Sequence, residues 1–99
     1  MRANMKHLAS LLGAYFHEDW SLDYGSPAEG LAQMVRGEPA PVVLEAREEL
    51  DAFLLGGHSE EELRRVLFED LGCCYDPTGD GSTAREWLEA VRLALHTGP

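Results

Sequence analysis

The residues with the chemistry to hold a metal or attack a substrate fall in three short clusters, and each lacks a part its chemistry requires. Asp76-Pro77-Thr78-Gly79-Asp80-Gly81 sets oxygen donors at loop positions 1, 3 and 5 and glycine at 6, as a calcium loop of the EF-hand type does. Such a loop closes on a bidentate Glu at position 12, which here is Trp87; Glu86 falls one residue early, on a different side of the incoming helix. The stretch therefore reads as an Asp- and Gly-bearing turn leading into a helix. His17-Glu18-Asp19 gathers three ligand types, but consecutive residues diverge around a helix and no second His stands four positions away, as a zinc helix needs. Cys73 and Cys74 are adjacent, so a ring between them is strained, no C-x-x-C spacing exists, and no neighbouring His or base lowers a thiol pKa. No catalytic residue, metal or cofactor is expected.

The remaining signatures point the same way. G-x-x-x-x-G-K-[ST], G-x-G-x-x-G and G-x-S-x-G do not occur, which removes the commonest phosphate-cradling and hydrolase motifs. The aromatic set Tyr15, Phe16, Trp20 and Tyr24 has no interleaved Lys or Arg, so it reads as packing at a corner rather than a platform for stacked bases. A chain of 99 residues built from short helices has little volume left for a small-molecule pocket.

The elements that must position these residues are helices, because apolar residues recur at three- and four-residue steps and no stretch alternates as a strand would. Leu8, Leu11, Leu12, Tyr15 and Phe16 mark a first helix ending near His17 or Glu18, followed by a short link from Trp20 to Gly25. Ser26, Pro27 and Glu29 supply the cap, first-turn proline and N3 carboxylate of a second helix, which buries Leu31, Met34 and Val35 and stops at Gly37. A third follows Pro39 and Pro41, carries Val43, Ala46, Leu50, Phe53 and Leu54 on one side, and ends at Gly56-Gly57. Ser59 with Glu62 opens a fourth, striped by Leu63, Val66, Leu67 and Leu71. Thr83 with Glu86 opens a fifth, which buries Trp87, Leu88, Val91 and Leu95 and frays at Thr97-Gly98-Pro99. The expectation is an all-α chain, a single domain over 1–99, with about five helices packed as antiparallel neighbours.

Charge bears on partners rather than fold. Eighteen acidic residues against eight basic ones give a net charge of −10, which repels phosphate backbones and anionic membrane surfaces and favours a basic protein partner. Neither nucleic acid, membrane nor small-molecule substrate is expected as a partner. Lys6, His7 and Ser10 interrupt the apolar residues of MRANMKHLASLLGAYF, so neither a signal peptide nor a spanning helix is read there and a cytoplasmic location is expected.

Three blocks carry a family resemblance: LLGAYFHEDWSLDYGSP from Leu11 to Pro27, E-E-L-D-A-F-L from Glu48 to Leu54, and G-C-C-Y-D-P…R-E-W-L from Gly72 to Leu88. Over roughly Leu11 to Leu95 the chain resembles the immunity proteins of bacterial contact-dependent growth inhibition systems. That resemblance implies a cytoplasmic antidote, not an enzyme, which binds and blocks the toxic C-terminal domain of a large effector, often a nuclease. A nuclease needs a basic cleft to attract phosphate, so an acidic inhibitor suits it.

On this reading Tyr15, Phe16, Trp20, Tyr24 and Trp87 fix the fold, with Tyr15, Phe16, Trp20 and Trp87 mostly buried, and Asp19 accepts a hydrogen bond from a backbone N–H or an indole at the corner. The partner then meets Glu45, Glu48, Glu49 and Asp51 of the third helix together with Asp76 and Asp80 of the last loop. The alternatives are an acidic helical adaptor without a toxin and a calcium-binding module.

Overall fold

The computed structural model of the chain describes residues 5–97. Within them lie α1 (Lys6–Tyr15), α2 (Trp20–Asp23), α3 (Pro27–Gly37), α4 (Ala40–Leu54), α5 (Glu60–Arg65) and α6 (Ala84–Thr97), with a π-helical turn over Val66–Asp70 and a 3-10 turn over Pro77–Asp80. No strand occurs among the described residues, so the all-α expectation holds. No helix of the described residues is long and apolar enough to cross a membrane.

Helix starts follow the caps legible in the sequence. The Ser26 hydroxyl accepts the Glu29 N–H at 3.2 Å while the Glu29 carboxylate accepts the Gly25 N–H at 3.1 Å. Ser59 and Glu62 form a reciprocal capping box, and Thr83 and Glu86 exchange bonds of 3.0 and 2.9 Å at the start of α6. Each pair satisfies N–H groups that a helix cannot bond internally.

Helix ends differ more. α1 stops at Tyr15, with Phe16 as its cap, and the predicted link after Trp20 contains the single turn α2. That turn closes because Asp19 O accepts the Leu22 N–H and Trp20 O accepts the Tyr24 N–H, while the Trp20 ring is held against Tyr75 and Phe16. α4 ends at Leu54, short of Gly56-Gly57. The fourth predicted helix is α5 plus the π-helical turn, where the Leu71 N–H bonds Val66 O. α6 reaches Thr97; Gly98 and Pro99, where fraying is expected, lie outside the described residues, as does Met1–Asn4 of the N-terminal stretch.

α6 is the central element, lying against α3, α4 and α5, while α1 packs on α4 and α3. Leu8, Leu12, Met34, Leu50, Leu63, Leu67, Leu88 and Val91 are fully buried between them, each at a position the helical periodicity assigns to a core face. On α4 only Ala46 and Leu50 are buried; Val43, Phe53 and Leu54 lie half-exposed at the margin of the core.

Two glycines of the described helices separate packing from backbone preference. A Cβ on Gly30 would come within 2.9 Å of the Phe16 ring, whereas one on Gly13 would meet nothing within 4 Å. Alanine favours a helix over glycine by about 1 kcal/mol, but overpacking costs about 1–3 kcal/mol. Gly13→Ala is therefore expected to raise the midpoint of urea unfolding and Gly30→Ala to lower it, the difference between the two variants reaching about 2 kcal/mol.

Candidate functional site

The loop after the π-helical turn is built on an aromatic cluster. Phe16 is wholly buried, with its centroid 5.1 Å from Trp87 in an edge-to-face contact. Tyr75 stands edge-on to Trp87 at 4.8 Å and to Trp20 at 5.2 Å. Edge-to-face pairs set the positive rim of one ring against the negative face of the next. The Cys74 N–H donates to Phe16 O at 2.7 Å, tying the loop to the end of α1. Phe16 and Trp87 are buried as expected, Trp20 and Tyr15 are half-buried against the core, and Tyr24 stacks on Tyr15 at 6.2 Å. Tyr75 belongs to this cluster but stands alone between Cys74 and Asp76, outside any helical stripe, so periodicity gave no signal for it.

Asp19 departs from its expected role. It is exposed and makes no side-chain cap on α2; instead its backbone N–H donates to His17 Nδ1 at 3.1 Å. The Trp87 indole Nε1 is buried without a hydrogen-bond partner among the described residues. The Cys73 thiol is buried. Burial pushes this thiol up to about 11, against the lowering effects of the Tyr75 backbone and the Trp87 side chain. The two thiols are unequal: Cys73 is buried and Cys74 exposed.

Of the six acids proposed for a partner, four are already engaged within the molecule. Glu49 accepts the N–H groups of Leu8 at 2.9 Å and His7 at 3.3 Å and sits 2.6 Å from His7 Nδ1. It thus serves as the cap that Met5 does not provide for α1, with negative charge at the positive end of the helix dipole. Asp51 joins α4 to α6 through Arg92 Nε and His96 Nε2, each at 2.8 Å. Asp76 accepts the Thr78 N–H and hydroxyl at 3.0 and 2.6 Å and lies 3.6 Å from Arg64. Asp80 accepts the Tyr75 hydroxyl at 2.6 Å. The loop that resembles a calcium site is thus a 3-10 turn held by Asp76 and ended by Gly81 at φ 81°.

Glu45 and Glu48 are exposed on α4 and carry no hydrogen bond or ion pair among the described residues. On α4, Glu49 faces α1 and Asp51 faces α6. Glu49 holds the start of α1 and the Asp76–Asp80 turn is fastened near its end, a separation of about 12 Å along the helix. His7, Glu45 and Glu49 bring ligand atoms within 4.8 Å of one another, but a cation there would compete for the Glu49 oxygens that cap α1.

The family model described as CdiI immunity protein matches residues 4–95. Among solved structures, the chain is similar to one in "Crystal structure of CdiA-CT/CdiI complex from Y. kristensenii 33638", with a TM-score of 0.84 and 28% sequence identity over 92% of this chain and 97% of that chain. No curated protein matches the chain.

Burial alone would raise the Asp51 pKa, but the His96 and Arg92 contacts outweigh it and hold the carboxyl below its ordinary value. A carboxylate depressed in the folded state stabilises above its unfolded pKa and loses that contribution as pH falls through the folded value. The Tm of the native chain is therefore expected to fall more steeply below about pH 4 than that of Asp51→Asn, the two curves converging in acid. Glu49→Gln, which weakens a cap, is expected to cost about 1 kcal/mol at neutral pH. For the thiols, one equivalent of an aromatic disulfide reagent should react promptly at Cys74 and the second, at Cys73, only on unfolding.

Proposed function

The chain belongs to the CdiI immunity protein family, and from that premise we propose that it binds and neutralises the toxic C-terminal effector domain of a contact-dependent growth inhibition system. Family membership across nearly the whole chain is the observation that carries this reading. It acts by stoichiometric binding in the cytoplasm of the cell it protects, and it catalyses no reaction. Its target is a basic toxin domain of the nuclease class. Support for that class is the net charge of −10, which complements the positive cleft a nuclease must present to phosphate.

The contact is made by Glu45, Glu48, Glu49 and Asp51 on α4, with Asp76 and Asp80 at the loop. Glu45 and Glu48 carry no hydrogen bond or ion pair among the described residues, whereas Glu49, Asp51, Asp76 and Asp80 offer only what their internal bonds leave over. Exposed charges act mainly on the rate of encounter, so their effect is strongest at low salt.

The test is a titration against the cognate C-terminal effector domain, at two salt concentrations, with rescue of growth in cells expressing that domain. Tight binding, an association rate that falls with salt, and rescue are expected. Glu45→Lys with Glu48→Lys should slow association several-fold at low salt and leave Tm unchanged. Binding without salt dependence would overturn the acidic-surface reading, and absence of both binding and rescue would overturn the antidote reading.

A further inference from the structure

Between α3 and α6 lies an open groove of about 450 Å³. Its walls are Ala28, Ala32 and Val35 of α3 and Ala90, Leu93 and Ala94 of α6, with Arg36 at one end. Leu93 projects from it with 63% of its surface exposed. The two helices run in the same direction. Near their starts Gly30 abuts the Phe16 ring, which packs on Trp87; near their ends Val35 and Arg36 lie beside Leu95. Arg36 has no ion pair among the described residues. Glu29, seven residues earlier and so two turns back on the same face, stands exposed at the other end of α3 with one oxygen on the Gly25 N–H.

We propose that this groove is the contact between two copies of the chain, joined by a two-fold axis that passes α3 at Ala32 and Gln33. Residues 29 and 36 lie equal steps on either side of that midpoint. Antiparallel pairing of α3 with its counterpart therefore places Arg36 of each copy opposite Glu29 of the other, twice over. Leu93 of each copy enters the alanine-walled groove of the other, where small side chains allow a close approach. The same patch thus serves both partners, as a two-fold interface requires.

Charge selects a second copy over the toxin as occupant. Whatever fills the groove must bring a carboxylate to Arg36 and an apolar knob to the alanines. A second copy carries both at the required spacing, whereas a basic toxin would set positive charge against Arg36. The toxin is thereby left to the acids of α4 and the loop, some of which hold other parts of the fold. Each copy bears −10, so long-range repulsion opposes association until salt screens it.

Sedimentation velocity of the full chain at about 0.15 M salt, where the screening length is about 8 Å, tests this over concentrations rising to millimolar. The native chain is expected to shift from monomer to dimer with concentration. Leu93→Asp, a change at an exposed position, should remain monomeric throughout. Arg36→Glu and Glu29→Arg should each raise the concentration needed at least tenfold, and the two together should recover most of that loss, an outcome only cross-copy pairing gives. A native chain that stays monomeric at millimolar concentration would overturn the proposal, as would dimerisation unaffected by Leu93→Asp. A monomer that loses binding to the cognate toxin domain on Leu93→Asp would assign the groove to the toxin and overturn the proposal, while leaving the antidote reading intact.

Discussion

Phe16 stands at the junction of five chain segments. Its ring meets Trp87 at the start of α6, Trp20 of α2 and Tyr75 of the loop, and it lies close enough to Gly30 of α3 that a methyl group there would collide. Its carbonyl receives the Cys74 N–H. A small helical protein buries only part of its surface, so one large side chain placed where segments converge has a disproportionate effect. Removing such a ring from a core costs about 3–5 kcal/mol, a sizeable share of the total stability of a domain this size. The sharp exit from α1, the extra turn α2 and the seat of the loop all follow from keeping that ring covered.

The excess of acid poses a second constraint, since like charges on a compact body repel. The fold relieves it by aiming carboxylates at helix starts. Glu29, Glu62 and Glu86 cap their own helices. Glu49 caps α1 from α4, and Glu60 caps α6 from α5 by accepting the Ala84 and Arg85 N–H groups at 2.6 and 3.1 Å. Five of the eighteen acids thus face partial positive charge, where each contributes favourably. Two of them also join separate helices, so electrostatics here fixes tertiary arrangement as well as helix ends.

The local caps were legible in the sequence because they act within three residues, and the core faces were legible because burial imposes the helical period. What escaped was long-range. Glu49 and Glu60 resemble their neighbours Glu48 and Glu61 in type and setting; only the approach of α1 and of α6 tells them apart. Tyr75 escaped for the same reason, since its partners lie far along the chain in α2 and α6. The acids proposed for a partner were chosen by sign and by position on one helix, and sign alone does not separate a solvated carboxylate from one that already holds the backbone of another helix.

That distinction bears on how an immunity protein of this kind can change its target without losing its fold. Acids that cap helices or fasten the loop are coupled to stability, so replacing them alters folding. Glu45, Glu48 and the exposed acids Glu61 and Glu89, likewise without a hydrogen bond or ion pair among the described residues, carry no such coupling, and substitutions there stay near the small effects typical of surface positions. Acidity is therefore held by the fold, at the helix starts, while the detailed pattern of negative charge on the remaining surface is left free to vary.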